Sequence, residues 1–213
     1  RYYAGTEIFD YVDIKKFHRR LKTRLPKYQG TIAAIAETHD FDWRLIAALI
    51  YQESHFDPRA KSYAGALGLM QLTRITANEM GVSDRLDPTA NIEGGIKYLH
   101  TLYHRFDKVP PRERIKFAMA SYNVGYGHVR DAQMIAERQN LSPIQWKTME
   151  TVLPLLRYPK YYQQTKYGYA RGTEPVRYVK RIYKYYDILR MKDGVGDTRY
   201  TGIAGPAAAT KEL

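Results

Sequence analysis

Apolar residues recur at helical spacing along most of the chain. Ile14, Phe17 and Leu21 form a stripe from Asp13 to Arg24, and Pro26 ends it. Ile32, Ile35 and Ala36 predict a second helix. Asp42 is a candidate N-cap for a third, which carries Leu45, Ile46, Leu49 and Ile50. Thr73 to Met80 reads as a short helix stopped by Gly81. Asp87-Pro88 sets a cap and a first-turn proline before Ile92, Ile96, Leu99, Tyr103 and Phe106. Pro111 opens a helix with Ile115, Ala118, Met119 and Tyr122 on one face. Ser142-Pro143 opens another through Trp146 and Met149. Glu174-Pro175 opens the last, with Val176, Val179, Ile182, Tyr183, Tyr186 and Leu189. Period-two runs and βαβ alternation are not evident, so the pattern predicts an all-α domain over residues 1–192. Residues 193–213 are rich in Gly, Ala and Thr without periodicity and predict a flexible tail.

One position departs from the pattern. Leu45 and Leu49 are four apart and Glu53 is four further; Glu53 is also three beyond Ile50. A carboxyl therefore extends an apolar stripe by one turn. Desolvation there raises its pKa, which suits a general acid working near neutral pH. The plainer alternative is a helix that has already ended, with Glu53 in water beside Asp57-Pro58.

Composition narrows the chemistry. The 213 residues suffice for one sizeable core. Net charge is +12, which implies an anionic partner: nucleic acid, a membrane surface or an acidic polymer. The basic residues are dispersed and no nucleic-acid module is recognisable, so nucleic acid is not an expected partner. There is no cysteine, hence no disulfide and no thiolate metal site. No segment approaches the roughly 20 apolar residues that cross a bilayer. The chain begins at Arg1 and reads as a mature or excised piece of a larger protein. Twenty tyrosines offer amphipathic rings suited to a sugar-binding groove or to the core edge. His100 and His104 have the spacing of helical metal ligands. No Glu lies between them as in the zinc-protease motif, and a third ligand would have to be Asp107 or something distant. A solvated helix face is the favoured reading, and neither metal nor cofactor is expected.

Two further segments carry polar groups of interest. Gly65, Ala66 and Gly68 mark a tight turn, and Gln71 brings an amide just after it. Ala120-Ser121-Tyr122-Asn123-Val124-Gly125 delivers a phenol and an amide at a helix end. In order, Glu53-Ser54, Gly68-Leu69-Met70-Gln71, Ala120 to Gly125 and the late-helix Tyr178 resemble the four motifs of the lytic transglycosylase family. Flanking segments, among them Phe9 to Asp13, Arg24 to Tyr28, Arg85 to Pro88 and Lys160 to Gly172, resemble the catalytic module of its membrane-bound F type. The likeness covers most of residues 7–191.

The resemblance implies a goose-type lysozyme-like fold with a substrate cleft and a single Glu acid and base, Glu53. It implies substrate contacts from Ser62, Gly68, Leu69, Met70, Gln71, Tyr122, Asn123 and Tyr178. The implied reaction cuts the β-1,4 bond between N-acetylmuramic acid and N-acetylglucosamine in peptidoglycan without water, leaving a 1,6-anhydromuramoyl end. Glycoside cleavage ordinarily uses two carboxylates, and Asp57, Asp87 and Glu93 are the nearby candidates for a second, none compelling. If the substrate supplies its own nucleophile, no second carboxylate is needed. A muramidase using water and an inactive wall-binding module remain alternatives. The resemblance also implies the periplasm, an outer-membrane attachment and an N-terminal solute-binding-like regulatory domain, both outside this chain.

Overall fold

A computed structural model describes residues 4–194, with side chains from residue 14 on. The expected flexible tail lies outside the described residues except for Asp193 and Gly194. Ten α-helices and two short 3-10 turns account for nearly all the regular structure. Among the described residues there are no strands, only isolated bridges joining Lys61 to Leu67 and Leu67 to Leu72.

The fold is arranged around α3 (Trp43–Ser54). Every residue from Leu45 to Tyr51 is buried with zero exposure. A helix apolar on all sides belongs inside a domain rather than on its surface. Each such Leu or Ile contributes about 1.5–3 kcal/mol by leaving water, and truncating Leu49 to Ala would cost roughly 2–5 kcal/mol. The Asp42 side chain caps α3 as expected, accepting from the Arg44 N–H at 2.9 Å. Its second oxygen accepts from the Tyr186 hydroxyl at 2.7 Å, which ties the start of α3 to α10 (Thr173–Lys192).

α3 lies between α10 and α2 (Gln29–Glu37). α6 (Pro111–Val124) packs on α10 and on α5 (Pro88–His104). α1 (Ala4–Thr23) runs well ahead of the expected start at Asp13, and the Phe17 ring packs on both Tyr51 and Tyr185, 4.5 and 4.6 Å away, which also touch each other at 4.7 Å. α4 (Arg74–Met80) is capped by Thr73 and stopped by Gly81 in the left-handed region, as the pattern predicts.

Two elements differ from expectation. α7 (Tyr126–Arg138) was not foreseen, because polar Asp131 and Gln133 sit among its buried residues and mask the stripe. Both are satisfied: Asp131 accepts from the Lys166 and Tyr167 N–H groups, and Gln133 donates to the Pro143 carbonyl. α8 (Trp146–Val152) starts later than Ser142-Pro143 suggests. Its first N–H is satisfied by the Glu113 carboxylate, 2.7 Å away on α6, rather than by a local cap. A 3-10 turn at Leu153–Arg157 leads into α9 (Pro159–Tyr162), and the 163–172 segment joins α9 to α10.

Candidate active site

Glu53 sits in the last turn of α3, on the stripe that the sequence predicts. The chain then turns away at once. His55 and Phe56 both take left-handed backbone angles, with φ of 55° and 59°. For non-glycine residues this costs about 1–2 kcal/mol each. Two contacts offset the cost: Arg24 donates to the His55 carbonyl at 3.0 Å, and the Phe56 ring is buried against Tyr51. The sharp exit keeps Glu53 at the rim of the core instead of letting α3 run on over it.

The following loop, residues 57–72, is fastened by one buried side chain. Asn91, fully buried on α5, accepts from the Met70 N–H at 2.7 Å and donates to the carbonyls of Leu67 and Arg85 at 3.0 and 2.8 Å. Gly68 has φ of +83°, and a Cβ there would lie 2.4 Å from both the Arg85 carbonyl and the Asn91 amide. Only glycine lets the loop close on Asn91. Arg85 adds bonds to the Gly65 and Leu72 carbonyls. Gln71, itself left-handed at φ 51°, donates to the Ala60 and Gly68 carbonyls at 3.1 and 2.9 Å.

Two tyrosines complete the setting. Tyr178, from α10, donates a short hydrogen bond to Glu53 Oε1. Tyr122, from α6, donates to the Met70 carbonyl at 2.8 Å and leans on Tyr98 of α5, with ring centres 5.3 Å apart. The Glu53 carboxyl is enclosed by protein on most sides while the side chain keeps a part-exposed strip. Burial pushes its pKa up to about 7; the Tyr178 bond pulls the other way by stabilising the carboxylate. Burial, then the nearby Glu53 charge, holds Tyr122 and Tyr178 well above the ordinary phenol value, so both remain neutral donors. Glu53 can thus hold a proton at neutral pH, give it up, and take it back without a change in its surroundings.

The residues singled out in the sequence divide into two groups. Glu53, Tyr178, Tyr122 and the 68–71 segment come together as two hydrogen-bonded pairs, Tyr178–Glu53 and Tyr122–Met70, with both phenols close enough to Glu53 to feel its charge. Asn123 is exposed at the end of α6, and Gln71 is part-exposed. Ser62 is part-exposed and accepts from the Ala66 N–H at 3.0 Å, closing its own turn. Gly68, Leu69 and Met70, which the resemblance places at the substrate, are buried, Leu69 and Met70 with zero exposure. Met70 serves through its backbone, gripped by Asn91 on one side and Tyr122 on the other, while its side chain packs on Gly95.

Sequence reasoning missed Asn91, Tyr98 and Arg85. Asn91 did carry a signal: an amide at the first apolar position behind the Asp87-Pro88 cap, beside Ile92 on an otherwise apolar stripe. The three candidate second carboxylates are occupied elsewhere. Asp57 accepts from the Arg59 N–H, Asp87 caps α5 through the Ala90 N–H, and Glu93 is exposed beside Met80 and Lys97.

Known proteins resemble the chain in sequence and in fold. A family profile described as the transglycosylase SLT domain matches residues 30–144, more than half of the chain. A protein of Desulfosudis oleivorans named membrane-bound lytic murein transglycosylase F is 58% identical over 196 residues, covering 92% of this chain and 43% of its own length. One of the same name from Shewanella oneidensis is 44% identical over 215 residues, covering all of this chain and 44% of the relative. The chain thus spans less than half the length of these curated relatives. Among solved structures, the lytic transglycosylase Slt of Pseudomonas aeruginosa superposes with a TM-score of 0.58 at 24% identity, over 79% of this chain and 24% of that one. The 70 kDa soluble lytic transglycosylase of Escherichia coli gives 0.57 at 22%, over 84% of this chain and 26% of that one. Those two likenesses speak to the fold, and the profile match speaks to the family: this chain belongs to the transglycosylase SLT domain family.

Proposed function

We propose that this domain is a peptidoglycan lytic transglycosylase with Glu53 as its one acid and base. The observation that carries the reading is the Glu53 carboxyl, with its pKa raised to about 7 by burial and a neutral tyrosine hydroxyl held against it. Protonated Glu53 gives its proton to the glycosidic oxygen as the bond to the muramoyl C1 breaks. The carboxylate so formed then takes the proton of the C6 hydroxyl of the same sugar, whose oxygen bonds to C1. The glutamate ends as it began, and water is not consumed. Tyr178 stabilises the transient carboxylate. Burial and a hydroxyl, rather than a neighbouring carboxylate, set the proton affinity of Glu53, which suits a reaction whose nucleophile comes from the substrate.

Gln71, Asn123 and Ser62 are the exposed or part-exposed polar groups available to position the sugars. The names of the relatives support an envelope location with murein as substrate. Their greater length leaves room for the regulatory domain and outer-membrane anchor that the resemblance implies.

The test is mass spectrometry of soluble products from purified peptidoglycan, with Glu53→Gln alongside. Muropeptides lighter than the reducing form by the mass of one water, absent with Glu53→Gln, are the expected outcome. Reducing ends would assign a water-using muramidase instead.

A further inference from the structure

The histidine pair on α5 lies on the outside of the domain, away from any role given above. His100 and His104 bring their Nε2 atoms within 3.0 Å of each other, their rings 4.3 Å apart. A third imidazole, His39 at the end of α2, meets the His100 ring edge-on at 5.1 Å. Its Nδ1 lies 3.1 Å from the Ile35 carbonyl. Donation to that carbonyl places the proton on Nδ1 and leaves Nε2 with its lone pair. The carboxylate of Asp40 is close enough to favour positive charge on His100.

We propose that His100 and His104 form a two-nitrogen chelate for a divalent transition-metal ion, preferentially Cu2+ or Ni2+. Imidazole nitrogens bind such ions at about 2.0–2.1 Å. At that bond length, the 3.0 Å separation subtends an angle of roughly 95° at the metal. That is the angle between neighbouring positions of a square-planar or octahedral site, and it is narrower than the tetrahedral angle zinc prefers. The two nitrogens project from successive turns of one helix and face each other across a hydrogen bond, whose proton a cation would displace. No group of three or more His, Cys, Asp or Glu side chains among the described residues is gathered to hold a metal. The remaining positions therefore go to water, and the ion exchanges with solvent. Asp107, the third ligand considered from the sequence, is turned away, accepting from the Lys108 N–H.

The experiment is calorimetric titration of the tag-free 213-residue chain with CuCl2, NiCl2 and ZnCl2, beside His100→Gln/His104→Gln and the control His18→Gln. The expected result is a single site that binds Cu2+ and Ni2+ more tightly than Zn2+. The double variant should lose about tenfold or more in affinity for both, and the control should match the parent. Electron paramagnetic resonance of the Cu2+ complex should show two equatorial imidazole nitrogens. Circular dichroism and peptidoglycan turnover of the double variant should equal those of the parent, which separates loss of metal from loss of fold. Unchanged Cu2+ affinity in the double variant overturns the proposal, as does a preference for Zn2+ or the absence of binding at millimolar metal.

Discussion

At the scale of single residues, Glu53 ties catalysis and stability to the same proton. The folded chain holds that proton more tightly than the unfolded chain does, since the pKa rises from 4.5 to about 7. Stability therefore falls as pH rises across that interval and levels off above it. Glu53→Gln removes the penalty. The variant should be more stable than the parent above pH 7, by roughly 3 kcal/mol at most, with the difference vanishing near pH 4. Paired denaturant titrations across pH check this, and a constant offset would refute it. On the proposed mechanism activity depends on the same protonated form: the acid must carry its proton, so turnover declines above about pH 7. Tyr178→Phe removes a donor to the carboxylate, so the alkaline limb should move upward by about one pH unit, along with a loss of rate. A downward shift in the pH profile would show that the hydroxyl does not stabilise the charged form.

At the scale of elements, α5 does more than its apolar stripe announces. Asn91→Ala leaves the Met70 N–H and the Leu67 and Arg85 carbonyls without their partner, at about 1–3 kcal/mol for each group that stays dry. The expected outcome is a lower melting temperature and a sharp loss of turnover, because the loop that Tyr122 grips is set free. An unchanged melting temperature would mean that water replaces the amide. Gly172 is the tightest joint: a Cβ there would lie 1.7 Å from the Leu153 carbonyl, which is backbone and has no rotamer to yield. Gly172→Ala should therefore push the start of α10 off the 153–157 turn, measurable as lost cooperativity in thermal unfolding. These joints also explain what could be read in the sequence. The Leu45–Leu49–Glu53 stripe, the Asp42 and Asp87 caps and the Gly81 stop are local, and periodicity finds them. The Glu113 cap on α8, the Asp131 brace under residues 166–167 and the Asn91 clasp link positions more than twenty residues apart. A local window shows Asn91 as an amide among apolar neighbours but shows none of these partners. The conformation of Gly68 to Met70 likewise answers to Asn91, which lies on another element.

At the scale of the whole molecule, charge and order of assembly matter. If the substrate is the proposed carboxylate-bearing wall polymer, a net charge of +12 should speed capture at low ionic strength. Turnover of insoluble wall should fall steeply as salt rises from about 0.05 to 0.5 M, where the screening length shrinks to a few ångströms. Cleavage of a short uncharged glycan should barely change over that range. Equal salt response for both substrates would remove charge from the account. Finally, the hydroxyl that tends Glu53 arrives 125 residues after it, from the last described helix. The match to the family profile ends at residue 144. A fragment cut there would keep Glu53 and lose the Tyr178 hydroxyl, and would leave the faces of α3 and α6 that α10 covers wet and sticky. The same ordering holds during synthesis: in a chain emerging from its N-terminus the buried carboxyl is made long before the helix that brings its hydroxyl, so its proton affinity is set only when α10 docks.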